Sequence, residues 1–98
     1  MVRAFHMDFN FYTESIKTLE LLGNPGRLLI VRELIVRGSL SVSELSKLTQ
    51  ISEAMILQHL RKLVQGNVVK SERKGKRLYC RLEDNKIVEI VKVLGLVN

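Results

Sequence analysis

The spacing of apolar positions along this chain changes several times, and each change marks an element. Between residues 13 and 22, Ile16, Leu19 and Leu22 fall on one stripe, and Thr13 supplies a capping side chain. This predicts a first helix over 13–22. The stretch before it, rich in Phe and Met, has no clear period and reads as an arm that orders only against a partner chain. Gly23-Asn24-Pro25 breaks the pattern. Asn24 is a good N-cap, and Pro25 suits the first helical position, where its missing N–H costs nothing. The second helix runs to Arg37 and stops at Gly38. Leu28, Leu29, Ile30, Val31, Leu34, Ile35 and Val36 make it apolar on most sides, so it is expected to be the most buried.

Ser41-Val42-Ser43-Glu44 is a capping box, a Ser followed three residues later by Glu. It opens a short helix with Val42, Leu45 and Leu48 facing inward. Thr49-Gln50-Ile51 form a tight turn, and Ser52 caps a fourth helix running to about Gln65, with Glu53 near its positive end. Ile56, Leu60, Leu63 and Val64 form its core stripe. After Gly66-Asn67 the period shortens to two. Residues 68–73 and 76–82 read as strands around Lys74-Gly75, with Leu78, Cys80 and Leu82 on one face and Arg77, Tyr79 and Arg81 on the other. Asp84 caps a last helix over 84–96, with Ile87, Ile90, Val91 and Leu94 on one side. The expected fold is mainly α with a small β-hairpin: a single winged helix-turn-helix domain over residues 1–98, with an extra helix at each end.

At 98 residues the chain has room for one modest core, which excludes a multidomain enzyme and a full doubly wound nucleotide-binding fold. Its apolar share of 46% and charged share of 27% are those of a globular chain. The formal charge of +6 is unevenly placed. Between Arg61 and Arg81 eight cations face one anion, Glu72, while the rest of the chain carries eight cations against nine anions. An excess confined to about a fifth of the chain is the footprint of a polyanion, nucleic acid first among them. A single Cys cannot form an internal disulfide, and no apolar run approaches the ~20 residues that cross a bilayer. The expected location is the cytoplasm, with no membrane partner.

The fourth helix carries a polar face opposite its core stripe. Ala54, Gln58, Arg61, Lys62 and Gln65 lie within about 65° of the direction opposite the core, and Met55 and His59 flank them. A helix in a major groove reads bases mainly with its first turns. That nominates Ser52, Ala54, Met55, Gln58 and His59 for bases, and Arg61 and Lys62 for phosphate. Gln bridges adenine N6 and N7, and Ala or Met meets a thymine methyl. The hairpin tip places Arg73, Lys74, Lys76 and Arg77 around Gly75, suited to a backbone or a minor groove. Each feature alone is also found on ordinary solvated surfaces. A basic hairpin directly after a helix-turn-helix is far more specific, and it points to double-stranded DNA.

Leu22-Gly23-Asn24-Pro25-Gly26-Arg27-Leu28, Leu40-Ser41-Val42-Ser43-Glu44-Leu45, Gln58-His59-Leu60-Arg61-Lys62-Leu63 and Lys76-Arg77-Leu78-Tyr79-Cys80-Arg81-Leu82 together resemble the ArsR/SmtB family of bacterial and archaeal repressors. The resemblance spans Leu22 to Leu82. It implies a repressor acting as a homodimer on an inverted-repeat operator, built largely from the first and last helices. The residues expected at that contact are Ile16, Leu19, Ile87, Ile90, Val91 and Leu94.

The chain departs from the family pattern at Leu57, where a Ser usually precedes the Gln-His pair, and it begins its reading helix with Glu53. By helical arithmetic Leu57 lies about 75° from the core centre, at the core margin. These two residues support the alternative, a winged-helix module that antagonises another regulator by protein contact. The family's metal sites need clusters of thiolate or imidazole ligands. Here only His6, His59 and Cys80 occur, scattered, with a site shared between subunits from His6 and Cys80 a remote option; no metal and no cofactor is expected. Cys80 has two readings: a small buried apolar residue on the Leu78/Leu82 face, which is favoured, and a redox-sensing thiol near Arg81. His59 has no nucleophile or carboxylate at a telling spacing, so no enzyme is expected.

Overall fold

The structure, a computed structural model, describes residues 9–98. The proposed N-terminal arm and His6 lie largely or wholly outside the described residues. The elements follow in the order α1 (Phe9–Leu22), α2 (Pro25–Arg37), β1 (Leu40–Ser41), α3 (Val42–Thr49), α4 (Glu53–Gln65), β2 (Val69–Lys74), β3 (Arg77–Leu82) and α5 (Asn85–Val93).

Local chemistry sets most of these boundaries. The Asn24 side chain accepts from the Arg27 N–H at 3.1 Å, with Pro25 in the first turn of α2. The Ser41 hydroxyl accepts from the Glu44 N–H at 3.1 Å while the Glu44 carboxylate accepts from the Ser41 N–H at 2.8 Å, completing the capping box of α3. Ser52 caps α4 through the Met55 N–H, and Asp84 caps α5 through the Lys86 N–H. Each such cap is worth about 1 kcal/mol.

The end of α4 is a Schellman motif: the Val68 N–H reaches the Leu63 carbonyl and the Asn67 N–H the Val64 carbonyl. Its left-handed residue is Asn67, at φ 61°, and not the neighbouring Gly66. Gly66 serves another need, because a Cβ there would collide with the Leu21 side chain of α1. The same motif closes α5, with Gly95 at φ 78° and the Leu96 N–H returning to the Val91 carbonyl.

Four boundaries and faces differ from the sequence expectation. Helix α1 begins at Phe9, so Thr13 lies within the helix and does not cap it. Helix α5 ends at Val93, because the Gly95 turn folds Leu96 and Val97 back onto the core. The hairpin is part of a three-stranded antiparallel sheet in the order β1-β3-β2, with Leu40 opposite Cys80 and Ser41 opposite Tyr79. Leu48 and Val64, expected inside, stand 40% and 37% exposed, at the edges of stripes centred on the fully buried Leu45 and Leu63.

The core sits where α2 meets every other layer. Ile30, Val31 and Leu34 of α2 pack with Leu45 of α3, Ile56, Leu60 and Leu63 of α4, Val69 and Cys80 of the sheet, and Ile87 and Val91 of α5. Helix α2 also buries Glu33, at 6% exposure. Its carboxylate accepts from Arg32 Nη1 at 2.7 Å and Arg37 Nε at 2.8 Å, and Arg32 Nε donates to the Leu96 carbonyl at 2.9 Å. An otherwise costly buried charge is thereby paired, and the C-terminal segment is tied to α2.

Candidate nucleic-acid interface

Helix α4 is held by its buried stripe of Ile56, Leu60 and Leu63, which leaves Ala54, Met55, Gln58, Arg61 and Lys62 exposed. Its start is fixed by the turn from α3. Gln50 takes the left-handed conformation at φ 62°, the Ile51 N–H donates to Thr49 Oγ1, and the Ser46 hydroxyl donates to the Ile51 carbonyl at 2.6 Å. Two polar side chains, Ser46 and Thr49, and the left-handed backbone at Gln50 thus set the angle at which α4 leaves α3.

The β2–β3 hairpin forms the wing. Lys74 pairs with Arg77 across a two-residue loop, Gly75-Lys76, and the positive φ of 63° falls on Gly75. A positive φ on only the first loop residue is the pattern of a type II′ turn, which any other residue type would strain. The register puts Lys70 opposite Arg81 and Lys74 opposite Arg77 on the solvent side. Like charges directly opposite one another destabilise a sheet unless an anion lies across them. Lys74 Nζ sits 5.8 Å from the Tyr79 ring centroid, a contact that partly offsets the repulsion. Lys70 and Arg81 were absent from the residues nominated from sequence; the signal that finds them is cross-strand register, which the sequence alone leaves open.

The start of α4 and the wing lie on the same side of the molecule. A shallow cleft is lined by Ser43 of α3, Glu53 and Leu57 of α4, and Arg73, Lys76 and Arg77 of the wing. Of the nominated residues, Ser52, Ala54, Met55, Gln58, Arg61 and Lys62 are exposed on α4, and Arg73, Lys74, Lys76 and Arg77 on the wing. Leu57, placed at the core margin by helical arithmetic, is 41% exposed and lines this cleft.

His59 sits differently from the other α4 candidates. It is half-buried against the start of α2, where a Cβ at Gly26 would lie 2.7 Å from its Nε2. Desolvation, helped by Arg27 and Lys62, holds its pKa below the ordinary value. Arg27 in turn donates from Nε to the Leu21 carbonyl at 2.7 Å and from Nη2 to the Glu20 carbonyl at 3.3 Å. The Gly26-Arg27 pair therefore serves the α1–α2–α4 junction.

Of the residues nominated for a subunit contact, Ile16, Leu19 and Leu94 are 52%, 62% and 56% exposed, while Ile90 is half-buried. Ile87 and Val91 are instead sealed in the chain's own core, because α5 turns that side inward onto α2 and the sheet. Val93, at 87% exposure, was not nominated and stands beside Leu94.

Cys80 is buried and its thiol donates to the Leu40 carbonyl at 3.3 Å, linking β3 to β1. Burial pushes its pKa up to about 11, the environment of a structural thiol and not of a reactive thiolate. Among the described residues no group of three or more His, Cys, Asp or Glu is placed to hold a metal ion. Among them, too, no helix is long and apolar enough to cross a membrane.

Residues 24–71 match the family model described as "Bacterial regulatory protein, arsR family". The chain is 30% identical over 82 residues to the transcriptional repressor PagR of Bacillus anthracis, covering 84% of this chain and 82% of that protein. Its fold is similar to the crystal structure of the transcriptional repressor BigR of Xylella fastidiosa, at TM-score 0.80 and 30% identity over 88% of this chain and 87% of that one. It is also similar to HlyU of Vibrio cholerae, at TM-score 0.81 and 25% identity over 90% and 94% of the two chains. The hairpin beside an exposed helix, the capping box and these relatives together place the chain in the arsR family of DNA-binding transcriptional regulators.

Proposed function

We propose that this chain is a transcriptional repressor that binds an inverted-repeat DNA operator as a homodimer. The observation that carries the reading is the shared cleft: Arg73, Lys76 and Arg77 stand beside the first turns of α4, so one duplex meets both. Helix α4 enters the major groove, where Gln58 reads a base edge, flanked by Ala54 and Met55. Arg61 and Lys62, one turn on, meet phosphate, and the wing holds the flanking backbone. The like-charged pairs Lys70–Arg81 and Lys74–Arg77 support this, since a phosphate backbone relieves their repulsion. PagR and BigR both bear the name of repressor, which supports that direction of control.

The α1–α5 side supports self-association. Ile16 and Leu19 on α1 and Val93 and Leu94 at the end of α5 are exposed apolar side chains, and a groove between the two helices is lined by Leu19, Ile87 and Ile90 together with Glu14, Asp84 and Lys86. A two-fold contact there turns one reading helix into two, which matches an operator with two-fold symmetry.

An anisotropy titration tests the reading. A sequence recovered from a random duplex pool binds at least about a thousandfold more tightly than random duplex at physiological salt. Gln58→Ala costs about tenfold on that sequence, and leaves random duplex unchanged. No retention of random duplex at low salt, together with no enriched sequence, contradicts the reading and favours a module that contacts another protein.

A further inference from the structure

Glu53 and Leu57 lie in the first turns of α4, and the reading above leaves them unused. They lie one helical turn apart and line the same cleft as Arg73, Lys76 and Arg77. Both are exposed, Leu57 to 41%. Among the described residues none of the ion pairs includes Glu53, so its carboxylate oxygens remain available as acceptors. A carboxylate facing a duplex is ordinarily repelled by phosphates. Here Glu53 stands in the first turn of α4, at the positive end of the helix, and Arg73, Lys76 and Arg77 line the same cleft.

We propose that Glu53 and Leu57 form a pyrimidine-selecting edge on α4, an inference that rests on the DNA-reading function above. In the major groove cytosine offers its N4 amino group as a donor, and a carboxylate accepts from it. A carboxylate meets only repulsion from the O6 and N7 acceptors of guanine. Thymine offers its 5-methyl group, which an exposed leucine covers. A separation of four residues along a helix is about 6 Å, close to two base steps at about 3.4 Å each. The two side chains therefore read a cytosine and a thymine about two steps apart, on the wing side of the bases read by Gln58. Ser43, which lines the same cleft from α3, leaves room beside them.

The test is parallel selection from a random duplex pool with the wild-type chain, E53Q and L57S, followed by anisotropy titrations. Wild type enriches a cytosine in each half-site with a thymine about two steps away, and replacing that cytosine weakens it about tenfold. E53Q moves that position toward adenine, the base a glutamine side chain pairs with, and loses the penalty for replacing cytosine. Deoxyuridine in place of the thymine, which deletes only the methyl group, weakens wild type several-fold and leaves L57S unchanged.

The deoxyuridine and cytosine replacements on wild type alone keep the test independent of how the variants fold, which circular dichroism checks. The same selected motif from wild type, E53Q and L57S overturns the proposal while leaving the DNA-reading function intact. So does an E53Q chain that binds every sequence equally more tightly, because Glu53 then acts only as a charge beside the helix dipole. No motif at all from wild type overturns both.

Discussion

Ile16, Leu19, Val93 and Leu94 stand exposed on the α1–α5 side, and Arg61, Lys62, Arg73, Lys76 and Arg77 on the α4–wing side. The first is built by helices from opposite ends of the chain and exposes apolar side chains among charged ones such as Glu14 and Lys86. The second is cationic and built from a nearly continuous stretch of it. Apolar area left in water favours contact with another apolar surface, and clustered cations favour a polyanion. On the function proposed above the two sides meet different partners, and α2 lies between them: Ile30 and Val31 pack in the core that both sides share, and Arg32 fastens the C-terminal segment.

The largest effect that separates the sides comes from the wing. Replacing Arg73, Lys74, Lys76 and Arg77 with Gln together weakens binding to every sequence by at least about two to three orders of magnitude, and flattens the salt slope by about three to four for each protomer bound. Sedimentation is unchanged. An unaltered slope breaks the assignment of this side to phosphate.

The converse substitution is Leu19→Glu with Leu94→Glu. Expected are a monomer in sedimentation and a loss of about a hundredfold on an inverted repeat, with affinity for a single half-site nearly preserved. A dimer that survives both charges means that the contact lies elsewhere.

The buried Glu33 sharpens the contrast, because it belongs to neither partner. Glu33→Ala removes the acceptor of both Arg32 and Arg37. It lowers stability by about 1–3 kcal/mol, read as a fall in melting temperature, without changing the salt slope. The lower part of that range is expected, since the two arginine side chains are 41% and 50% exposed and regain water.

The smallest effect concerns His59. Burial and the neighbouring cations favour its neutral form, so its folded pKa lies below the ordinary 6.5. Above that value both states are neutral there. As the pH falls below it the unfolded chain takes up a proton first, so stability declines until the folded pKa is reached. Melting curves between pH 7.5 and about 5 show this decline in wild type, and a shallower one in His59→Gln. An equal decline removes His59 from the α2–α4 junction.

Local chemistry was legible in the sequence. Asn24, Ser41 with Glu44, Ser52 and Asp84 each cap the helix expected of them, and Gly66-Asn67 ends α4. What sequence missed depends on contacts distant along the chain. β1 is only Leu40–Ser41, too short to show alternation, and exists because β3 pairs with it. The inward side of α5 is set by α2 and the sheet, so periodicity found its stripe but could not say that Ile87 and Val91 face the core of the same chain. The start of α1 at Phe9 differs because Thr13 is a capping residue type placed just before the Ile16/Leu19/Leu22 stripe, which drew the boundary away from the Asp that precedes Phe9 in the sequence. The nominated reading residues came from helical arithmetic, which located the exposed arc of α4 but not the lean of His59 onto Gly26.

The central claim is that α4 and the wing of one chain grip the same duplex side by side. Cys80 is buried with a raised pKa, so a cysteine introduced on the surface is the preferred point of labelling. Iron–EDTA tethered in turn at Gln58→Cys and Lys76→Cys, on a duplex carrying the selected site, reads the position of each directly. Cleavage from both is expected within one half-site, centred within about half a helical turn of each other. Cleavage from only one position, or from the two in separate half-sites, contradicts it.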